Sequence, residues 1–93
     1  MTQDQARDVP MIVSCSKKDG TVTPLRFKYA DPESDTTHTI DIESILSVTR
    51  HSMPGREDYI YICQSTINGN LFKYKLRMHQ ESGKMSWMFL EQL

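Results

Sequence analysis

Cysteine and glycine are scarce in this chain of 93 residues, which contains two cysteines and four glycines. Two cysteines are too few for a disulfide framework. Because Cys15 and Cys63 lie at predicted strand positions among apolar neighbours, we expect both to be small buried thiols. The glycines are isolated turn residues, which excludes a Gly-rich loop that holds phosphate.

Long apolar runs are also missing, since none approaches the roughly 18 residues of a membrane span. The polar stretch 1–8 lacks the apolar core of a signal peptide. These absences predict a cytoplasmic protein without membrane contact. We expect residues 1–8 to be a disordered or frayed lead and residues 9–93 to be one small β-barrel domain.

The charges nearly balance, with a formal net charge of -1. This balance argues against general attraction to nucleic acid or anionic membranes, unless the charges are segregated on the surface. Hydrophobic residues make up 38% of the chain and charged residues 25%, which is typical of a soluble globular protein able to fold on its own core.

Motifs for chemistry are absent as well. His38, His51 and His79 lack the spacing of a metal motif, and there is no Cys-x-x-Cys or Gly-x-Ser-x-Gly. Asp41 and Glu43 share one strand face. Paired carboxylates can perform acid–base catalysis, but a solvated outer surface is the more common reason for such a pair. We therefore expect no enzyme, no catalytic residue, no metal and no cofactor. An enzyme or ligand-binding domain with its site at the loop ends near His38 and His51 is a weaker third possibility.

A β-hairpin over Tyr59–Met78 is the strongest pattern that is present. Two alternating runs flank Asn68-Gly69, the dipeptide that favours a two-residue hairpin turn. This turn pairs Cys63 with Tyr74 and places the apolar and aromatic residues on one face. The residues predicted to face inward are Tyr59, Tyr61, Cys63, Phe72, Tyr74, Leu76 and Met78.

A second hairpin is predicted between residues 9–17 and 21–30. A three-residue loop, Lys18-Asp19-Gly20, sets Val13 opposite Leu25 and gathers apolar residues on one face. A two-residue Asp-Gly loop is the alternative. In the preferred register Pro24 points outward, which suggests an edge position or a bulge.

The remaining strands are a long third one over about residues 36–51 and a short final one over 85–90. The apolar phase breaks after Ile42, which indicates a bulge or bend near Glu43-Ser44, or one helical turn over 43–46. The pattern predicts an all-β fold with little or no helix. We expect a small SH3-like barrel or a strongly bent antiparallel sheet of about five to six strands.

Two outward surfaces are candidates for binding. A basic face forms if strands two and five adjoin, and it would hold nucleic acid or other anions through Arg26, Lys28, Lys73, Lys75 and Arg77. The competing interpretation is a set of solubilising cations, because no aromatic residues lie among them. The other surface contains Ile60 and Ile62, whose outward position favours self-association. A protein partner or a homodimer is the leading expectation, and nucleic acid is the alternative.

Four features carry a family resemblance: Pro24-Leu-Arg-Phe-Lys-Tyr29, Thr39-Ile-Asp-Ile-Glu-Ser-Ile-Leu46, Tyr61-Ile-Cys63 and Trp87. In these the chain resembles a family of small all-β bacterial proteins of the Firmicutes type that have no assigned activity. The resemblance implies a compact SH3-like barrel without catalytic residues. A weaker likeness to the WYL module, an SH3-like domain of bacterial regulators, lies in Phe27-Lys-Tyr29, Tyr61-Ile-Cys63 and Leu71-Phe-Lys-Tyr-Lys-Leu76. The namesake Trp-Tyr-Leu is absent.

Overall fold

Antiparallel strands make up nearly all of the computed structural model, which describes residues 9–18, 21–31 and 36–93. The predicted frayed lead, residues 1–8, lies outside the described residues. The strands are β1 (Val9–Lys18), β2 (Thr21–Asp31), β3 (Thr36–Asp41), β4 (Ser44–Met53), β5 (Arg56–Ile67), β6 (Asn70–Glu81) and β7 (Lys84–Gln92). The predicted all-β class is confirmed. No helix in the described part of the chain is long and apolar enough to cross a membrane.

The strands follow the order β3-β2-β1-β7-β6-β5-β4. They form a three-stranded sheet, β1–β3, and a four-stranded sheet, β4–β7. The two sheets join where Val9 and Pro10 pair with Phe89 and Met88. The strand order does not close into a barrel, so the bent-sheet alternative of the prediction describes the fold.

The chain bends sharply between β3 and β4, which occupy the two ends of the strand order although they are consecutive. The amide of Ile42 donates to the carbonyl of Leu25 on β2 at 2.9 Å, and the next amide, of Glu43, donates to the carbonyl of Gln64 on β5 at 3.0 Å. The predicted bend near Glu43-Ser44 therefore exists, and the alternative of a helical turn is wrong. The predicted third strand is two strands in different sheets.

The β5–β6 hairpin has the predicted register. Cys63 pairs with Tyr74, and Tyr61 pairs with Leu76. Asn68 has φ 52° and Gly69 has φ 80°, which are the left-handed values that a two-residue type I′ turn requires.

The register predicted for the β1–β2 hairpin is wrong. Lys18 pairs with Thr21, so a two-residue connection replaces the predicted three-residue loop, and the pairing shifts between Ser14 and Cys15. The shift leaves Leu25 as an extra residue on β2, so that Val13 pairs with Phe27 instead. Leu25 consequently turns outward and is 50% exposed.

Two residues near this bulge differ from their predicted burial. Pro24 was expected to point outward, but it is fully buried. The bulge predicted as one option for Pro24 is present, and it reverses the face of Pro24 because a one-residue shift exchanges the two faces of a strand. Cys15 pairs with Pro24 and was expected to be buried, but it is an exposed free thiol, whereas Cys63 is buried.

The core lies between the inner faces of the two sheets. Phe27 of the three-stranded sheet packs against Tyr74 of the four-stranded sheet with a centroid distance of 5.4 Å. The hydroxyl of Tyr61 donates to the carbonyl of Val22 at 2.8 Å, which is a second contact between the two sheets. The buried core consists of Phe27, Tyr61, Cys63, Tyr74, Leu76, Met78 and Trp87.

Ser65 is the buried polar residue that holds the bend. Its Oγ donates to the carbonyl of Asp41 at 2.7 Å. The hydroxyl of Tyr74 lies 2.5 Å from the same Oγ and donates to it, since the Ser65 proton is already engaged. This chain of hydrogen bonds satisfies the buried hydroxyls of Ser65 and Tyr74 and reaches the carbonyl of Asp41 at the point where the strand changes sheets.

We predict that Ser65→Ala destabilises the fold by about 2–4 kcal/mol, because it leaves both the Tyr74 hydroxyl and the Asp41 carbonyl without a partner. Tyr74→Phe removes only one group of the chain and should cost about 1 kcal/mol. Urea denaturation followed by circular dichroism measures both values. Ser47→Ala, at an exposed serine of β4, is the matched control, and an equal effect of the two serine substitutions would contradict this role for Ser65.

Candidate interaction face

The outer face of the four-stranded sheet carries most of the predicted site residues. Along β5 and β6, residues 61, 63, 65, 74, 76 and 78 are buried, and those between them are half-buried or exposed. Because side chains alternate across a sheet, the latter point away from the core. The outer face comprises Asp58, Ile60, Ile62, Gln64, Lys73, Lys75, Arg77, His79, Glu81 and Met88.

An apolar strip lies at the centre of this face. Ile60 pairs across the strands with Arg77, and Ile62 pairs with Lys75. Met88 of β7 lies on the other side of Arg77. Ile60, Ile62 and Met88 are all half-buried, since the aliphatic stems of the neighbouring cations cover part of them.

Arg77 stands in the middle of the strip. Its Nε atom is buried and has no hydrogen-bond partner among the described residues. The pKa of Asp58 is lowered chiefly by its hydrogen bond to His79, and the charge of the Arg77 guanidinium lowers it further. A charged donor that is shielded from water and unpaired leaves a hydrogen bond unmade, and Arg is enriched at protein interfaces.

The charges around the strip are of both signs. Lys75 Nζ lies 3.2 Å from a carboxylate oxygen of Glu91, while Lys73 is exposed and forms no ion pair with the described residues. Carboxylates also flank the strip at Asp58 and Glu81. The outer face is thus a mixed surface and not a purely basic one.

The structure brings together three of the five predicted cations, namely Lys73, Lys75 and Arg77 on β6. Arg26 and Lys28 lie on β2, which β1 and β7 separate from β6 in the strand order. The Nε of Arg26 lies 2.5 Å from Asp41 Oδ1, which raises the pKa of Arg26 through this hydrogen bond and the charge of the carboxylate. These two cations therefore belong to the outer side of the other sheet.

A cluster of one histidine and two carboxylates borders the outer face. His79 Nδ1 is hydrogen-bonded to Asp58, and its Nε2 lies 3.0 Å from Glu81 Oε1. The hydrogen bond to Asp58, followed by that to Glu81, raises the pKa of His79. The hydrogen bond from His79 lowers the pKa of Asp58. When His79 is protonated, it forms an ion pair with Asp58 on the adjacent strand and another with Glu81 on its own strand.

Sequence reasoning missed the exposed apolar residues of β4, because it placed them inside one long third strand. Leu46 is 48% exposed, Val48 50% and Met53 46%. β4 is an end strand of the four-stranded sheet, which leaves these residues exposed. Val48 pairs with the buried Tyr61 and therefore lies on the inner side of the sheet. The broken apolar phase at Ile45-Leu46 was the available signal, and it corresponds to the register shift between Ile45 and Ser47.

The residues considered for chemistry are dispersed. His38 lies on β3 and His51 on β4, at opposite ends of the strand order. Asp41 binds Arg26, whereas Glu43 accepts a hydrogen bond from Thr66 at 3.1 Å. Burial raises the pKa of the Cys63 thiol to about 12. Within the described ranges, no three His, Cys, Asp or Glu side chains are grouped so that they could hold a metal ion.

Comparisons of the chain with protein-family models, with curated proteins and with solved structures found no match. The function of the chain is therefore inferred from the residues of the outer face.

We predict that the contribution of His79 to stability depends on pH. The raised pKa of His79 means that its contribution is fully present below the ordinary value of 6.5 and is lost as the pH rises through the raised value. The lowered pKa of Asp58 means that its contribution is present above the ordinary value of 3.8 and is lost as the pH falls through the lowered value. His79→Gln should therefore destabilise the protein more at about pH 5.5 than at about pH 9.

Urea denaturation of both proteins at the two pH values measures this difference. In a background of Asp58→Asn with Glu81→Gln, the same His79→Gln substitution should have an effect that no longer varies with pH. An equal effect of His79→Gln at both pH values in the unmodified chain would contradict the pairing.

Proposed function

We propose that this protein is a non-enzymatic interaction module that self-associates through the outer face of its four-stranded sheet. The observation that carries the proposal is the apolar strip of Ile60, Ile62 and Met88, half-buried around Arg77, whose Nε is shielded and unpartnered among the described residues. A partner surface would remove the rest of the strip from water and offer Arg77 an acceptor.

The size of the face suits a small dimer. Four strands spaced about 4.8 Å apart, each about ten residues long at about 3.3 Å per residue, present roughly 600 Å². Two copies would then bury roughly 1,200 Å² in total, which is at the lower end of specific protein–protein interfaces. A weak, reversible dimer is the expected product.

The mixture of charges favours a second copy as the partner. Lys73 and Arg77 are cations without an ion pair among the described residues, and Asp58 and Glu81 supply carboxylates on the same surface. In a two-fold symmetric contact, the same face appears on both sides. Each copy can therefore offer carboxylates to the cations of the other.

We predict that Ile60→Glu combined with Ile62→Glu abolishes the dimer, because two carboxylates would replace the centre of the apolar strip. Sedimentation velocity over a range of protein concentrations measures the association. The unmodified chain should shift from monomer to dimer as concentration rises, and the double variant should stay monomeric.

The matched control is Thr37→Glu with Thr39→Glu, which adds the same charge to two exposed positions of β3. This variant should dimerise like the unmodified chain. Self-association is refuted if the unmodified chain stays monomeric at every concentration, and the choice of face is wrong if both double variants dimerise equally.

Nucleic-acid binding is the second candidate, and the observation in its favour is that Lys73 and Arg77 on β6 form no ion pair with the described residues. The carboxylates of Asp58, Glu81 and Glu91 on the same sheet weigh against it. If the face binds single-stranded oligonucleotide, affinity measured by fluorescence anisotropy should fall with salt, with a log–log slope of roughly -0.7 per phosphate contacted. No binding at low salt would remove this candidate.

Two further parts of the proposal depend on the sequence alone. The resemblance to small bacterial all-β proteins and to the SH3-like WYL module supports a bacterial origin and a binding role. A cytoplasmic location agrees with the free thiols of Cys15 and Cys63.

A further inference from the structure

A cavity of about 250 Å³ opens between the two sheets at the end where β3 approaches β6 and β7. It lies on the inner side of the fold, apart from the outer face. For scale, an engineered cavity of about 150 Å³ in another protein binds benzene. The space is therefore large enough for an aromatic molecule of one or two rings.

The walls of the cavity are aromatic and aliphatic. Phe72, Tyr74 and Phe89 line it together with Ile40 and Ile67. The rings of Tyr74 and Phe89 lie 6.0 Å apart between centroids, with an angle of 21° between their planes. Because the hydroxyl of Tyr74 is bound to Ser65, the ring of Tyr74 offers the cavity an apolar surface and its polar end is already satisfied.

Polar groups lie at the mouth. His38, Thr39 and Gln92 complete the lining, and these three residues are exposed to solvent. No Lys, Arg, Asp or Glu is among the described lining residues. A ligand would therefore insert an apolar ring and leave an uncharged hydrogen-bonding group at the mouth. A charged group would find no permanently charged partner among the described lining residues.

We propose that this cavity is a binding site for a small, neutral, planar aromatic compound that carries one hydrogen-bonding group, such as an indole or a phenol. The aromatic walls contact the ring, and the amide of Gln92 binds the polar group at the mouth. The site is separate from the self-association surface and does not require a dimer.

Titration with indole, followed by NMR of the isotopically labelled chain, tests the proposal. Saturable shifts are expected for the signals of Phe72, Tyr74 and Phe89, with little change at Trp87, which lies elsewhere in the core. Tryptophan, with the same ring and a charged end, serves as the comparison probe and should bind at least about 10-fold more weakly, because nothing in the described lining pairs with its charges.

Two variants give independent readouts. Ile67→Trp should fill the cavity and abolish the indole-dependent shifts while the rest of the spectrum keeps its dispersion. Gln92→Ala should weaken indole binding about 3- to 10-fold, the range for loss of one neutral hydrogen bond. Gln64→Ala, at a glutamine of the outer face, is the matched control and should bind indole like the unmodified chain.

The proposal is overturned if indole causes no saturable shifts up to its solubility limit, or if the shifts cluster on the outer face. It is also overturned if Ile67→Trp folds and binds indole unchanged. If Gln92→Ala and Gln64→Ala bind equally well, the assignment of Gln92 is wrong and the hydrogen-bonding part of the ligand class is withdrawn.

Discussion

Two consecutive backbone amides at the bend between β3 and β4 bond to different sheets, Ile42 to Leu25 on β2 and Glu43 to Gln64 on β5. Because β3 and β4 stand at the two ends of the strand order, this bend ties those ends together through the chain. Ser65 and Tyr74 hold the Asp41 carbonyl beside it. The facing of the two sheets, and hence the core between them, depends on this point.

The contacts between the sheets are unevenly distributed, and this distribution creates the cavity. Tyr61 reaches Val22 on one side of the core, and Phe27 packs on Tyr74 near the middle. Beyond Tyr74, the space bounded by Phe72 and Phe89 is left open towards β3. A second opening, of about 380 Å³, lies on the other side of the core beside Val22 and Tyr61, so the large side chains fill the centre and leave space on both sides.

The two surfaces of the four-stranded sheet have different roles, one in folding and the other in the proposed association. Inward side chains such as Leu76 and Met78 are fully buried and stabilise the fold. Outward side chains such as Ile60 and Arg77 are only half-buried by one another. Because side chains alternate along a strand, the inward set and the outward set are fixed together. A shift of one residue in the register would exchange them.

Sequence reasoning predicted the register of the β5–β6 hairpin to the residue, and with it the faces of Ile60, Ile62, Lys73, Lys75 and Arg77. The strands extend beyond the predicted Tyr59–Met78, to Arg56 and Glu81. A hairpin is a local structure, and the dipeptide Asn68-Gly69 specifies its turn and register. The β1–β2 hairpin could not be predicted in the same way. Its bulge at Leu25 serves a distant requirement, the burial of Pro24 and Phe27 against the other sheet, and no local pattern shows that requirement.

What the sequence determined by itself was therefore the all-β class, the principal hairpin and the division of its residues into two faces, because these follow from alternation and turn chemistry between near neighbours. Tertiary structure alone decided that β2 and β6 lie apart, which divides the five predicted cations between two sheets. It also decided that β4 is an end strand with exposed apolar residues, and that a cavity lies between the sheets. These features depend on contacts between residues far apart in the chain, which local periodicity does not encode.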